Sequence, residues 1–182
     1  MSEFILKNKK KLYFRELRKG DEKALAAFNN ELSKRSRALF MPHGYDDETI
    51  SKLIQRVQSG EDAVFIALDE EKIAAYWFLW WINTPFPVLG IGILDNYHGL
   101  GLGGKLMHHL INLAEKQGCS TIELTTALDN KPARILYEKV GFKVAGKVEN
   151  VSGDGKVAPE WHMIYNIKPG VIPPPRTHDS PI

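Results

Sequence analysis

The chain opens with a two-residue alternation over positions 12–17, Leu-Tyr-Phe-Arg-Glu-Leu, which predicts a first strand. The period then lengthens. Asp21 is a good N-cap for a helix over 22–32, and a shorter helical piece over 33–40 ends near Met41-Pro42, because proline disfavours helical geometry in the residue before it. Behind Asp46 or Asp47 as cap, Ile50, Leu53, Ile54 and Val57 form one helical face up to Gly60. Three apolar stretches follow, at 63–68, 72–82 and 88–94, separated by a turn at 69–71 and by the breaker Asn83-Thr84-Pro85-Phe86-Pro87. These connections are too short for crossover helices, so the strands are expected to meander antiparallel. Trp80 and Trp81, adjacent on the long strand, are expected to face opposite sides. Leu102, Leu106, Leu110, Leu113 and Ala114 predict a helix over 101–117, whose crossover makes the strand at 121–126 parallel to its predecessor. A helix over 131–140, capped by Asp129 or Asn130, closes at Gly141, and strands near 143–148 and 161–167 flank a turn around 152–155. There is no internal repeat. The pattern is α/β (α+β), with a mixed, mostly antiparallel sheet flanked by helices.

Composition narrows this to one domain, residues 1–167. The chain has 182 residues, 43% of them hydrophobic and 25% charged, with a net charge of +2. That charge gives no reason to expect a nucleic-acid partner, and the basic opening Lys7-Asn8-Lys9-Lys10-Lys11 is expected to be a solvated lead-in. No apolar run reaches the roughly 18 residues of a membrane span, and no signal peptide is seen, so no membrane partner and a cytoplasmic location are expected. The single cysteine, Cys119, excludes an internal disulfide and is expected to be buried. Residues 168–182 carry prolines at 169, 173, 174, 175 and 181 and are expected to form a disordered tail.

Candidate chemistry concentrates where the strand at 88–94 gives way to the helix. Gly99, Gly101, Gly103 and Gly104 permit positive φ and close backbone approach, while the first N–H groups of the helix have no internal partner. A helix N-terminus of this kind suits phosphate. A Walker loop is excluded, because Gly104-Lys105 is followed by Leu106 rather than a hydroxyl residue. A dinucleotide fingerprint is matched literally by Gly99, Gly101 and Gly104, with Glu123 about 20 residues on, so an NAD(P)-binding oxidoreductase stands as an alternative.

His98-Gly99-Leu100-Gly101-Leu102-Gly103 resembles the Arg/Gln-x-x-Gly-x-Gly/Ala loop of the GNAT N-acetyltransferase superfamily, and Ile93-Leu94-Asp95-Asn96-Tyr97 resembles its lead-in. Downstream, Asn130, Ala133, Tyr137 and Gly141-Phe142 resemble the family's Asn-x-x-Ala-x-x-x-Tyr-x-x-x-Gly-Phe segment. The resemblance spans residues 12–167. It implies a GNAT-type sheet and direct transfer of an acetyl group from acetyl-CoA to a primary amine of a small molecule or peptide, without a metal; a homodimer is left open. It also implies that Ile91, Ile93, His98, Gly99, Leu100, Gly101, Leu102, Gly103, Gly104, Asn130 and Tyr137 hold the cofactor, and that Tyr137 serves as general acid. Lys105 and Arg134 are further phosphate candidates. A non-catalytic CoA-binding sensor is the other alternative.

The general base is not fixed by the motifs. Relatives acting on protein N-termini carry a glutamate five residues before the asparagine, a place held here by Thr125. Glu123 is the leading substitute and Glu160 the second. Gly90 and Gly92 interrupt the strand before the loop, which marks close backbone approach or a crowded neighbour. Phe40, His43, Tyr45, Trp77, Trp80 and Trp81 are candidates to line an acceptor pocket. His108-His109 does not form a metal-ligand spacing.

Overall fold

The computed structural model describes residues 2–175 and 180–182. The chain runs β1 (Ser2–Ile5), β2 (Lys11–Glu16), α1 (Glu22–Glu31), α2 (Lys34–Leu39), α3 (Asp47–Gln58), β3 (Ala63–Asp69), β4 (Lys72–Trp80) and β5 (Val88–Ile93). A 3-10 turn (Asp95–Tyr97) leads to α4 (Leu102–Lys116), β6 (Thr121–Ala127), α5 (Lys131–Val140), β7 (Lys143–Val151) and β8 (Val157–Asn166). The strands form one sheet in the order β1-β2-β3-β4-β5-β6-β8-β7, antiparallel except between β5 and β6. This is the mixed, mostly antiparallel sheet read from the pattern.

β4 is the centre. Every residue from Ile73 to Trp80 is buried, as in a strand covered on both faces. Its alternating side chains meet two different layers. Trp77 stacks on Phe65 and donates its indole N–H to His109 Nδ1 of α4 at 3.2 Å. Tyr76 meets Phe28 of α1 and Phe40, which follows α2.

Side-chain caps fix the starts of α3 and α5. Asp46 accepts from the Thr49 N–H ahead of α3, and Asn130 from the Ala133 N–H ahead of α5. Asp21 does not cap α1. It lies at the N-cap position, but its carboxylate is turned to Arg15, at 2.6 and 2.7 Å, and to the Arg18 N–H.

Two expectations are corrected, and a third falls on a segment described only in part. The first strand lies ahead of the basic opening and not at 12–17: β1 pairs with β2 through a turn containing Lys9 at φ 66°, and Phe4 stacks on Phe14 at 4.2 Å, while Lys7 to Lys11 stay exposed. The long strand ends at Trp80; Trp81 adopts φ 55°, so its ring is freed from strand alternation and lies on the same cavity as Trp80. The proline-rich segment is anchored at its start, where the Val171 carbonyl accepts from Thr121 Oγ1 at 2.6 Å and from Asn166 Nδ2 at 2.7 Å. The part of the disorder expectation that falls on residues 176–179 lies outside the described residues.

The splay of β5 from β6 positions the site. Their register is a single pair, Val88 opposite Glu123, whereas β5 stays paired with β4 from Val88 to Ile93. A gap therefore opens along β5 towards the glycine turn.

Candidate active site

A cleft of about 750 Å³ fills this gap. Gly90 to Ile93 form one wall, the turn from His98 to Gly104 closes one end, and Asn130, Leu136 and Tyr137 of the α5 region stand opposite. Gly99 and Gly101 hold φ 72° and 82°, which L side chains rarely adopt. At Gly103 a Cβ would come within 2.8 Å of Leu136, so this glycine sets how closely α4 meets α5. Gly90 and Gly92 answer the crowded-neighbour reading: a Cβ there would lie 2.1 Å from the Phe78 ring and 2.3 Å from the Phe40 ring. Those rings seat on the strand only because it is bare.

The lining is one-signed in charge. Among the described residues the charged side chains lining the cleft are Lys7 and Lys139, beside the rings of His98 and His108, and no carboxylate lines it. Lys7 comes from the β1–β2 turn. Its backbone N–H donates to the Leu100 carbonyl at 3.1 Å, and its side-chain methylenes cover Gly101. Sequence reasoning missed Lys7, since nothing in a run of four lysines within five residues marks the one that turns inward. Bare N–H groups at a helix start together with cations alone fit a polyphosphate-tailed ligand such as CoA.

Of the expected cofactor residues, Ile91, Ile93, His98, Gly99, Gly101, Leu102, Gly103, Gly104, Asn130 and Tyr137 all line the cleft. Leu100 does not; it packs on the core and contributes its carbonyl to Lys7. The imidazole of His98 is bound to the Ile93 carbonyl at 2.9 Å, so it braces the end of β5 as well as facing the cleft.

A smaller cavity of about 110 Å³ adjoins the cleft, and Leu39, Phe40, Leu89, Gly90 and Thr125 border both. Phe78, Trp80, Trp81 and Glu160 are among the residues on the rest of its wall, with the polar Asn150, Ser152 and Ser180. Burial pushes the Glu160 carboxyl above its ordinary value, against hydrogen bonds from Thr125 and Asn150 that favour the charge. Burial, with the negative charge of Glu160 adding to it, pushes the Tyr137 phenol up to about 12. The two titratable groups therefore feel each other at the junction of the cavities. Glu123 stands elsewhere: it is fully buried, lines neither cavity, and is bound by His162 Nε2 at 2.8 Å. His43, Tyr45 and Trp77 are not on the cavity wall either; His43 bonds Tyr76 beneath it.

Among the described residues the site is thus a trough lined by lysines and by the bare N–H groups of a helix start, joined to a smaller pocket that holds the Glu160 carboxylate. The acetyltransferase (GNAT) family profile matches residues 25–142. The chain belongs to this family. A [ribosomal protein bS18]-alanine N-acetyltransferase of Escherichia coli is 34% identical over 74 residues, 41% of this chain and 50% of that protein. More generally, the chain spans 25% to 55% of the length of the first curated relatives it matches. Among solved structures, a GNAT-family acetyltransferase from Streptococcus pneumoniae aligns with a TM-score of 0.66 at 25% identity, covering 86% of this chain and 99% of that one. A spermidine N-acetyltransferase from Vibrio cholerae, solved with CoA and spermine, aligns with a TM-score of 0.68 at 20% identity, covering 85% and 95%. The oxidoreductase alternative finds no support: the sheet is not doubly wound, and Glu123 is buried against His162 rather than free at a strand end. Among the described residues no helix is long and apolar enough to cross a membrane, and no three metal-ligating side chains gather.

Proposed function

We propose that this chain is an acetyl-CoA-dependent N-acetyltransferase that acts on a primary amine by direct attack in a ternary complex. The observation that carries the reading is the β5–β6 gap, which runs from a cation-lined glycine turn to a pocket holding the Glu160 carboxylate. Acetyl-CoA supplies the acyl thioester. An amine that arrives as ammonium first gives up one proton; its nitrogen then bonds to the thioester carbonyl carbon while the carbon–sulfur bond breaks, so that a second proton leaves the nitrogen and one reaches the departing thiolate.

The chain's residues divide this work. The turn from Gly99 to Gly104, with Lys7, holds the pyrophosphate, and the β5 backbone at Ile91 and Ile93 aligns the pantetheine arm. Asn130 borders the same trough. Glu160 takes the amine proton, because it is the carboxylate on the acceptor wall and its raised pKa makes it a better base than an exposed glutamate. Tyr137, still protonated across the physiological range, donates to the sulfur.

Thermal unfolding with acetyl-CoA, NADH and ATP tests the binding half of the proposal. Acetyl-CoA at 100 times its dissociation constant should stabilise the fold by about 2.7 kcal/mol. No shift with acetyl-CoA, or a shift with NADH alone, would remove the proposal.

A further inference from the structure

We infer that the acceptor of this site is a cationic primary amine carried on a short apolar or aromatic skeleton, with no acidic group of its own. This rests on the transferase reading of the preceding section and narrows its substrate.

The two joined cavities are lined by opposite charge. Among the described residues the 750 Å³ cleft has cations and no carboxylate, and the 110 Å³ pocket has Glu160 and no Lys, Arg or His. Among the described residues of the pocket wall a phosphate- or carboxylate-bearing acceptor would find no counter-ion, and it would meet Glu160 as a like charge. An ammonium finds one carboxylate and several ring faces. Phe78 and Trp80 stack at 4.2 Å, and Trp81 stands against Trp80 at 80°, with ring centroids 6.1 Å apart. Cations are attracted to such faces within about 6 Å. Size adds a limit, since an apolar cavity of about 150 Å³ holds a single benzene ring.

Trp81 is held in place by dedicated interactions. Its backbone is left-handed at φ 55°, a conformation that non-glycine residues keep only when their surroundings impose it. Its N–H donates to Asp62 Oδ1 at 2.8 Å, and Asp62 is gripped by Arg56 at 2.7 and 3.0 Å. Its carbonyl accepts from the Thr84 N–H at 3.0 Å and from Thr84 Oγ1 at 2.8 Å. A strand continuing past Trp80 would turn the Trp81 ring to the other face. The turn, clamped from both sides, instead delivers a second indole to the same pocket. Trp81 is therefore a specificity-determining residue for the apolar part of the acceptor.

The test is a titration of the full chain followed by tryptophan fluorescence, which needs no cofactor and so fails independently of the transferase reading. Phenethylamine, 3-phenylpropionate and ethylamine serve as probes, with a phenylalanyl dipeptide amide to separate a small-molecule source of the amine from a peptide one. Phenethylamine should bind about tenfold tighter than either 3-phenylpropionate or ethylamine. Trp81→Ala should remove most of the preference over ethylamine, and Glu160→Gln most of the preference over the carboxylate. Trp81→Phe, which keeps a ring face, should retain about half of the logarithmic gain and serves where the alanine variant does not fold. Equal or tighter binding of 3-phenylpropionate, or a Trp81→Phe variant whose preferences match the parent while Trp81→Ala also leaves them unchanged, would overturn the inference.

Discussion

His43 offers a quantitative test of how the acceptor wall is built. It is 1% exposed, and its ring is bound on both sides. The Gly44 carbonyl, 2.6 Å from Nδ1, can only accept, so Nδ1 carries the proton and Nε2 accepts from the Tyr76 hydroxyl at 2.8 Å. Burial lowers its pKa from 6.5 to about 4, partly offset by the Gly44 carbonyl and the charge of Asp46. Between pH 6.5 and pH 4 the unfolded chain therefore binds more protons at this site than the native one, and stability falls as pH falls. The gap of about 2.5 units, at about 1.36 kcal/mol each, amounts to about 3 kcal/mol once pH is below the folded value. The segment matters to function, because Met41 and Pro42 line the acceptor pocket and the Met41 carbonyl accepts from the Gly153 N–H at 2.7 Å. Chemical denaturation of the parent and of His43→Gln at intervals from pH 7 to pH 4 isolates the site from the carboxylates that titrate in both. The parent's advantage over the variant should shrink by about 3 kcal/mol across that range. Parallel stability curves would refute the reasoning.

Three further outcomes follow from the site. Gly101→Val should weaken acetyl-CoA binding by more than about tenfold in calorimetry, because φ 82° strains any L residue and the new side chain meets Lys7. Glu160→Gln should lower kcat/KM by about 10² or more and abolish an ascending limb of the pH profile that lies above the ordinary carboxylate range; an unchanged profile would retire Glu160 as base. Tyr137→Phe should lower kcat while leaving acetyl-CoA affinity within about twofold, because the ring keeps its place and only the phenol proton is lost.

Periodicity and turn chemistry made most of the fold legible. The helical face of Ile50, Leu53, Ile54 and Val57 is buried as its spacing requires, and the apolar stretch of β4 lies at the sheet centre. The features that were not legible depend on tertiary contacts. Asp21 has an N-cap's position, but Arg15 on the neighbouring strand offers two charged donors and wins its carboxylate. β1 was hidden because its apolar residues are followed by a lysine-rich turn that reads as solvated. Trp81 leaves the strand pattern because Asp62 and Thr84 hold a backbone conformation that its own sequence gives no cause to expect.

The same contrast holds at the site. The glycine turn, Asn130 and Tyr137 follow a fixed local spacing and converge on one cleft. The carboxylate opposite them has no such spacing. The linear reading ranks Glu123 ahead of Glu160, and the β6–β8 register reverses that order: Ala127 faces Glu160 near the cavity, whereas Glu123 lies farther along, opposite Ile164 and bound to His162.

The most direct test of the account is the rate of free-thiol release from acetyl-CoA with and without phenethylamine, with the product mass measured alongside. The account predicts amine-dependent thiol release matched one for one by N-acetylphenethylamine, and loss of both in Glu160→Gln. Thiol release that ignores the amine, or acetyl-CoA that binds tightly and is never consumed across a wide panel of primary amines, would contradict it.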